Sequence, residues 1–146
     1  MEDIKSIDIL LIEDDPGDIR LAQEALKEGK VQNVLNVVSD GMEALDYLFK
    51  RNGFENSLRP DLIILDLNLP KKDGREVLAR IKQDDNLKRI PVVVLTISKS
   101  EEDILKTYNL HANCFITKPL DLDKFIEVVQ AIEDFWFTIV KLPNHK

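Results

Sequence analysis

Five short apolar runs punctuate the chain, and the stretches between them carry apolar residues at three- and four-residue spacing. The runs are IDILLIE, VLNVV, DLIILDL, IPVVVLT and NCFIT. Such alternation is the pattern of βαβ units, so it predicts an α/β fold: a doubly wound sheet of five parallel strands with five helices. Largely continuous Val, Ile and Leu content suits strands covered on both faces, with the central ones most deeply buried. Helices are expected to start near Asp18, Gly41, Gly74, Ser100 and Asp121. The last is the most regular, because Phe125, Val128, Val129, Ile132, Phe135 and Trp136 form one apolar stripe. Ser100, with Asp103 three residues on, and Asp121 are the expected caps. Two regions fall outside the repeat: the polar link RNGFENSLRP before the third strand, and the tail from Phe137 to Lys146.

A chain of 146 residues that is 44% hydrophobic can bury one sizeable core, so one domain over residues 1–136 with a C-terminal extension over 137–146 is expected. Charge narrows the partners. Twenty Lys and Arg against 27 Asp and Glu give 20 − 27 = −7, a field that repels phosphate backbones and anionic lipid, so neither nucleic acid nor a membrane is the expected partner. The single cysteine, Cys114, permits no disulfide framework and no metal-type Cys spacing, and reads as a small core residue. With no signal-peptide order at the start and no apolar run near the ~20 residues that span a bilayer, a cytoplasmic location is expected.

The chemistry-bearing residues sit where the apolar runs stop. LLIEDDPGD ends in Glu13 and Asp14, DLIILDLN in Asp66 and Asn68, VVVLT in Thr96, and FITKP in Lys118 and Pro119. In an open α/β sheet these strand ends share one edge, where ligands bind. Asp66 follows four apolar residues, so its carboxylate loses solvation unless something pairs with it. Glu13, Asp14 and Asp66 repel one another unless a cation sits among them, and oxygen ligands without His or Cys point to Mg²⁺. Taken singly, each feature has a plainer reading: a turn and helix cap for EDDPGD, Asp15 and Asp18 included, a loop cap for Asp66, and surface positions for Thr96 and Lys118. Their conjunction favours phosphoryl transfer, in which Asp66 forms an acyl phosphate. Mg²⁺, Lys118, and Thr96 or a backbone N–H would each take one phosphoryl oxygen.

At these residues the sequence resembles the receiver domains of two-component response regulators. LLIEDDP, PDLIILDLNLPKKDG, VVVLT and ITKPL stand in that family's order and spacing over nearly the whole chain. The resemblance implies a flavodoxin-like fold and a sensor histidine kinase as phosphoryl donor. It carries the acid pair onto Glu13 and Asp14, the phosphorylated aspartate onto Asp66, the switch hydroxyl onto Thr96 and the invariant lysine onto Lys118. Asn68 would lend its backbone carbonyl to the metal. DGMEALDYLFKR, LHANCFITKPLDLDKF and IEDFW are most similar to small single-domain regulators that partner cyanobacterial phytochromes, which implies a phytochrome-type kinase and no effector domain.

Two positions depart from the common receiver pattern. Ile97 stands where many relatives have a small residue, and is expected to crowd the route of hydrolytic water. Phe115 stands where many have Tyr, so the mobile aromatic of the switch works by packing alone. His111 reads as a helix-end residue, Met42 as packing, and KKDGRE as a solvated loop and helix start. Two other functions compete with the phosphorylation switch. A phosphorylation-independent interaction module would keep the fold without the cycle. A nucleotide or phosphate binder would present Gly- or Ser/Thr-rich N–H groups where EDDPGD presents carboxylates. Finally, apolar residues continue past Trp136 through Phe137, Ile139, Val140 and Leu142, more than one helix face can cover, so a homodimer through the fifth helix and its extension is expected.

Overall fold

The computed structural model describes residues 6–28, 32–69, 73–96, 100, 114–118, 121–128, 130 and 131. Five parallel strands form one sheet: β1 (Ile7–Ile12), β2 (Asn33–Val38), β3 (Leu62–Asp66), β4 (Val92–Thr96) and β5 (Cys114–Thr117). Their order is β2-β1-β3-β4-β5. Each apolar run of the sequence supplies one strand. β3 and β4 are buried along their whole length, as central strands covered on both faces must be, whereas edge strand β2 exposes Val34 and Val37.

The period-2 alternation of the strands divides the core in two. Leu10, Ile12, Ile63, Leu65, Val92 and Val94 face α2 (Gly41–Leu48) and α3 (Gly74–Gln83). Ile9, Leu11, Leu62, Ile64, Val93 and Leu95 face α1 (Pro16–Lys27) and Phe125, which lies in the helical stretch 122–128. Helices on both faces make the sheet doubly wound, as its pattern predicts. Of the expected fourth helix, only Ser100 is described, and it is helical. Ile97, His111 and the apolar continuation from Ile132 onward, on which the dimer expectation rests, lie outside the described residues.

Helix starts follow local chemistry. Asp15 caps α1 by accepting from Asp18 N–H at 2.9 Å, with Pro16 next, where its missing N–H does no harm. Asp40 accepts from Glu43 N–H at 2.8 Å while the Glu43 carboxylate accepts from Ser39 N–H at 2.9 Å, so the start of α2 is bonded in both directions. Asp121 accepts from Asp123 N–H at 2.9 Å, the expected cap of the last helix. One expectation needs correction. Met42 is 46% exposed, since it points away from the stripe of Ala44, Leu45 and Leu48 that α2 buries. The polar link folds back on α2: Arg51 pairs with Asp46 at 2.9 Å, Ser57 Oγ donates to Tyr47 O at 2.8 Å, and Phe54 packs on Tyr47 with ring centroids 5.5 Å apart.

Candidate functional site

Parallel register decides which side chains meet. Ile12 is level with Val38 and with Leu65, so Glu13 emerges beside Asp66, and Glu13 N–H extends the ladder by donating to Val38 O at 3.0 Å. On the other side Thr96 is level with Thr117, and Lys118 N–H donates to Thr96 O at 2.6 Å. Residues 13, 66, 96 and 118 thereby rise at the carboxyl ends of four strands. The order reverses between β1 and β3, the place where open α/β sheets bind ligands.

At that point the structure brings together Glu13, Asp14 and Asp66, one carboxylate oxygen of each lying within 4.8 Å of the others. Glu13 and Asp66 are buried and Asp14 is exposed, so the cluster opens to solvent on one side. Lys118 closes the other side, with Nζ 3.0 Å from Asp66 Oδ2 and 3.2 Å from Glu13 Oε1. Asp66 Oδ1 accepts from Asn68 N–H at 2.9 Å, which turns the backbone of residues 66–68 about the carboxylate, and Asn68 is exposed. Thr96 is buried at the end of β4, and Phe115, half-buried on β5, packs against the core on the α2–α3 face. Glu13, Asp14, Asp66, Asn68, Thr96 and Lys118 therefore gather at one edge of the sheet, whereas Phe115 lies inside β5, level with Val94.

The electrostatics mark the cluster as unbalanced. Burial, then the neighbouring Asp66, pushes the Glu13 carboxyl up to about 7, against the opposing pull of Asp15 N–H and Lys118. Glu13 Oε2 accepts from Asp15 N–H at 3.1 Å, but Oε1 is buried without a hydrogen bond, its contact to Lys118 being one of charge rather than alignment. For Lys118, burial disfavours the ammonium, yet hydrogen bonds to Asp18 and Asp66 and the charges of Asp66 and Glu13 outweigh it, so its pKa lies above the usual lysine range. Hard oxygens in small number, one of them lacking a partner, with an open side for water ligands, fit a divalent cation such as Mg²⁺.

One participant belongs to the site in place of the role its sequence suggests. Asp18, expected to serve only the turn and cap, places Oδ2 2.9 Å from Lys118 Nζ. Asp15 alone takes the capping role.

Comparison with known proteins agrees with this geometry. Residues 9–130 match the family model of the response regulator receiver domain. The chain belongs to that family. This receiver domain is 53% identical over 135 residues to response regulator Rcp1 of Synechocystis sp., covering 92% of each chain. Its fold is similar to that of the phosphorylated cyanobacterial phytochrome response regulator RcpA, at 54% identity and a TM-score of 0.79 over 91% of this chain and 95% of that one. It is equally similar to the Mn²⁺-bound form of Rcp1, at 52% identity and a TM-score of 0.79 over 94% and 99% of the two chains. Among the described residues of this receiver domain, no helix is long and apolar enough to cross a membrane.

Proposed function

We propose that Asp66 accepts a phosphoryl group from a sensor histidine kinase, and that the resulting acyl phosphate switches the surface this receiver presents to a downstream protein. One observation carries the reading: a carboxylate that is 1% exposed ends β3, bonded by Lys118 at 3.0 Å and set in a cluster of acids spaced to share a cation. In the transfer an Asp66 oxygen bonds to phosphorus. The P–N bond to the donor imidazole breaks, and its electron pair stays on the nitrogen, which is left as neutral imidazole once protons re-equilibrate. Asp14 and Asp66, with Glu13 behind them and the Asn68 carbonyl beside them, would hold Mg²⁺. When bound, that ion neutralises charge on the phosphoryl oxygens.

Lys118 donates to a second phosphoryl oxygen and the Thr96 hydroxyl to a third. Movement of Thr96 toward the phosphoryl group opens space near Phe115, whose ring has no hydroxyl and follows by packing. Hydrolysis by water at phosphorus would return the carboxylate. Names of the relatives support a phytochrome-type donor, since RcpA is described as a phosphorylated cyanobacterial phytochrome response regulator. Self-association through the last helix and residues 137–146 would supply one output surface.

Incubation with acetyl phosphate and Mg²⁺, followed by intact-mass measurement, tests this. One added phosphoryl group that depends on Mg²⁺ and is absent from Asp66→Asn is expected. An unchanged mass in the wild type would end the proposal.

A further inference from the structure

Asp18 has no structural reason of its own to face the pocket. It is the third residue of α1, where an acidic side chain ordinarily stabilises the helix start or reaches back to the N–H of the capping residue. Here Asp15 N–H is already bonded by Glu13 Oε2 at 3.1 Å, so the Asp18 carboxylate is released from that role and turns to Lys118, 100 residues away in sequence. A side chain at the preceding Gly17 would place its Cβ 3.3 Å from Asp15 Oδ2, tight against the cap that sets the direction of Asp18.

The ammonium of Lys118 has three N–H donors, and four carboxylate oxygens lie within 3.4 Å of it: Asp18 Oδ2, Asp66 Oδ2 and both oxygens of Glu13. Its donors are all engaged. A phosphoryl oxygen can gain a hydrogen bond from Lys118 only if a carboxylate gives one up. The Glu13 side chain is 1% exposed and would lose a partner in the interior, and Asp66 becomes part of the acyl phosphate that Lys118 must follow, whereas the Asp18 side chain is 22% exposed and can return to water.

We propose that Asp18 is a positioning residue that holds Lys118 in the unphosphorylated state and is the partner exchanged for the phosphoryl group. This inference rests on Asp66 being the acceptor, and deepens that reading by naming what phosphorylation must displace. Because the Asp18 bond belongs to the resting state, it lowers affinity for the phosphoryl group and favours the unloaded protein.

Beryllofluoride with Mg²⁺, a phosphoryl mimic, tests it by calorimetric titration of the full chain. Asp18→Asn should bind the mimic roughly five-fold more tightly than wild type, the size expected for one partly exposed ion pair. Asp18→Glu, which restores the charge, should return toward wild type. In a Lys118→Ala background the Asp18→Asn change should have no effect, because the coupling runs through the ammonium. Unchanged or weaker binding by Asp18→Asn overturns the role of Asp18. So does a gain that persists undiminished without Lys118, which would be a field effect alone. A wild type that binds no beryllofluoride would instead overturn the acceptor reading of Asp66.

Discussion

Gly74 packs directly on the backbone of Leu67: a Cβ at position 74 would lie 2.5 Å from Leu67 Cα and 2.6 Å from Asp66 O. The glycine opens α3, and its N–H donates to Leu67 O at 3.2 Å, so the helix start is seated on the segment that follows the candidate acceptor. Any side chain there pushes against backbone, which cannot rotate away.

Gly74→Ala should therefore move the loop that carries Asn68 and cost roughly 1–3 kcal/mol, as overpacking does. Denaturant unfolding should register that loss, and Mg²⁺ affinity should fall with it. Wild-type values for both would show that residues 66–68 accommodate the methyl group without strain.

Glu13 gives the metal-free protein a pH dependence of definite sign. Its carboxyl titrates near 4.5 in the unfolded chain and near 7 in the fold, so between those values the folded state holds a proton that the unfolded state has lost. This contribution is fully present below about pH 4.5 and is lost as pH rises through 7. Relative to wild type, Glu13→Gln should gain stability between pH 5 and 8, with a slope on the order of 1 kcal/mol per pH unit inside the window. Saturating Mg²⁺ should flatten the difference by holding the cluster ionised. Urea unfolding of both proteins at several pH values measures it, and parallel curves would contradict the burial of an unbalanced Glu13.

Lys118→Ala should produce effects of opposite sign in one protein. Without the ammonium, buried Glu13 and Asp66 lose their cation, so the metal-free fold should lose on the order of 3 kcal/mol and melt earlier. Mg²⁺ should bind more tightly, because a like charge has gone, and should recover part of the stability. Melting curves and calorimetry with and without metal check both signs. Weaker Mg²⁺ binding would show that Lys118 organises the carboxylates more than it opposes the ion.

The apolar residues from Phe125 to Leu142 predict self-association. Sedimentation of the wild type beside a chain truncated after Asp134 should show a dimer for the former alone, with the balance shifted by a phosphoryl mimic. A wild type that stays monomeric at high micromolar concentration, with and without the mimic, would contradict it.

What was legible in the sequence was whatever local pattern determines. Four strands lie within the apolar runs and β2 starts one residue before its run, at Asn33, because central parallel strands admit few polar residues, and the helices at Gly41 and Gly74 start at the expected positions. Glu13, Asp66, Thr96 and Lys118 were readable because a strand end fixes where a residue emerges, and parallel strands share one functional edge. The pairing of Asp18 with Lys118 was not readable, since local sequence offers the same aspartate an adequate role at the helix start, and only the third dimension shows that role already filled by Asp15 and Glu13. The ordered link after α2 was hidden for a similar reason. Its composition is polar, and its stability comes from Asp46 and Tyr47, residues of the preceding helix that it folds back to meet.

Chemical trapping of the acceptor tests the central claim most directly. Borohydride reduces an aspartyl phosphate to homoserine, so protein loaded with acetyl phosphate and Mg²⁺, reduced and digested, should carry homoserine at position 66 and at no other aspartate. Homoserine at Asp14 or another aspartate, or none at all in protein whose mass shows a phosphoryl group, would contradict Asp66 as the acceptor.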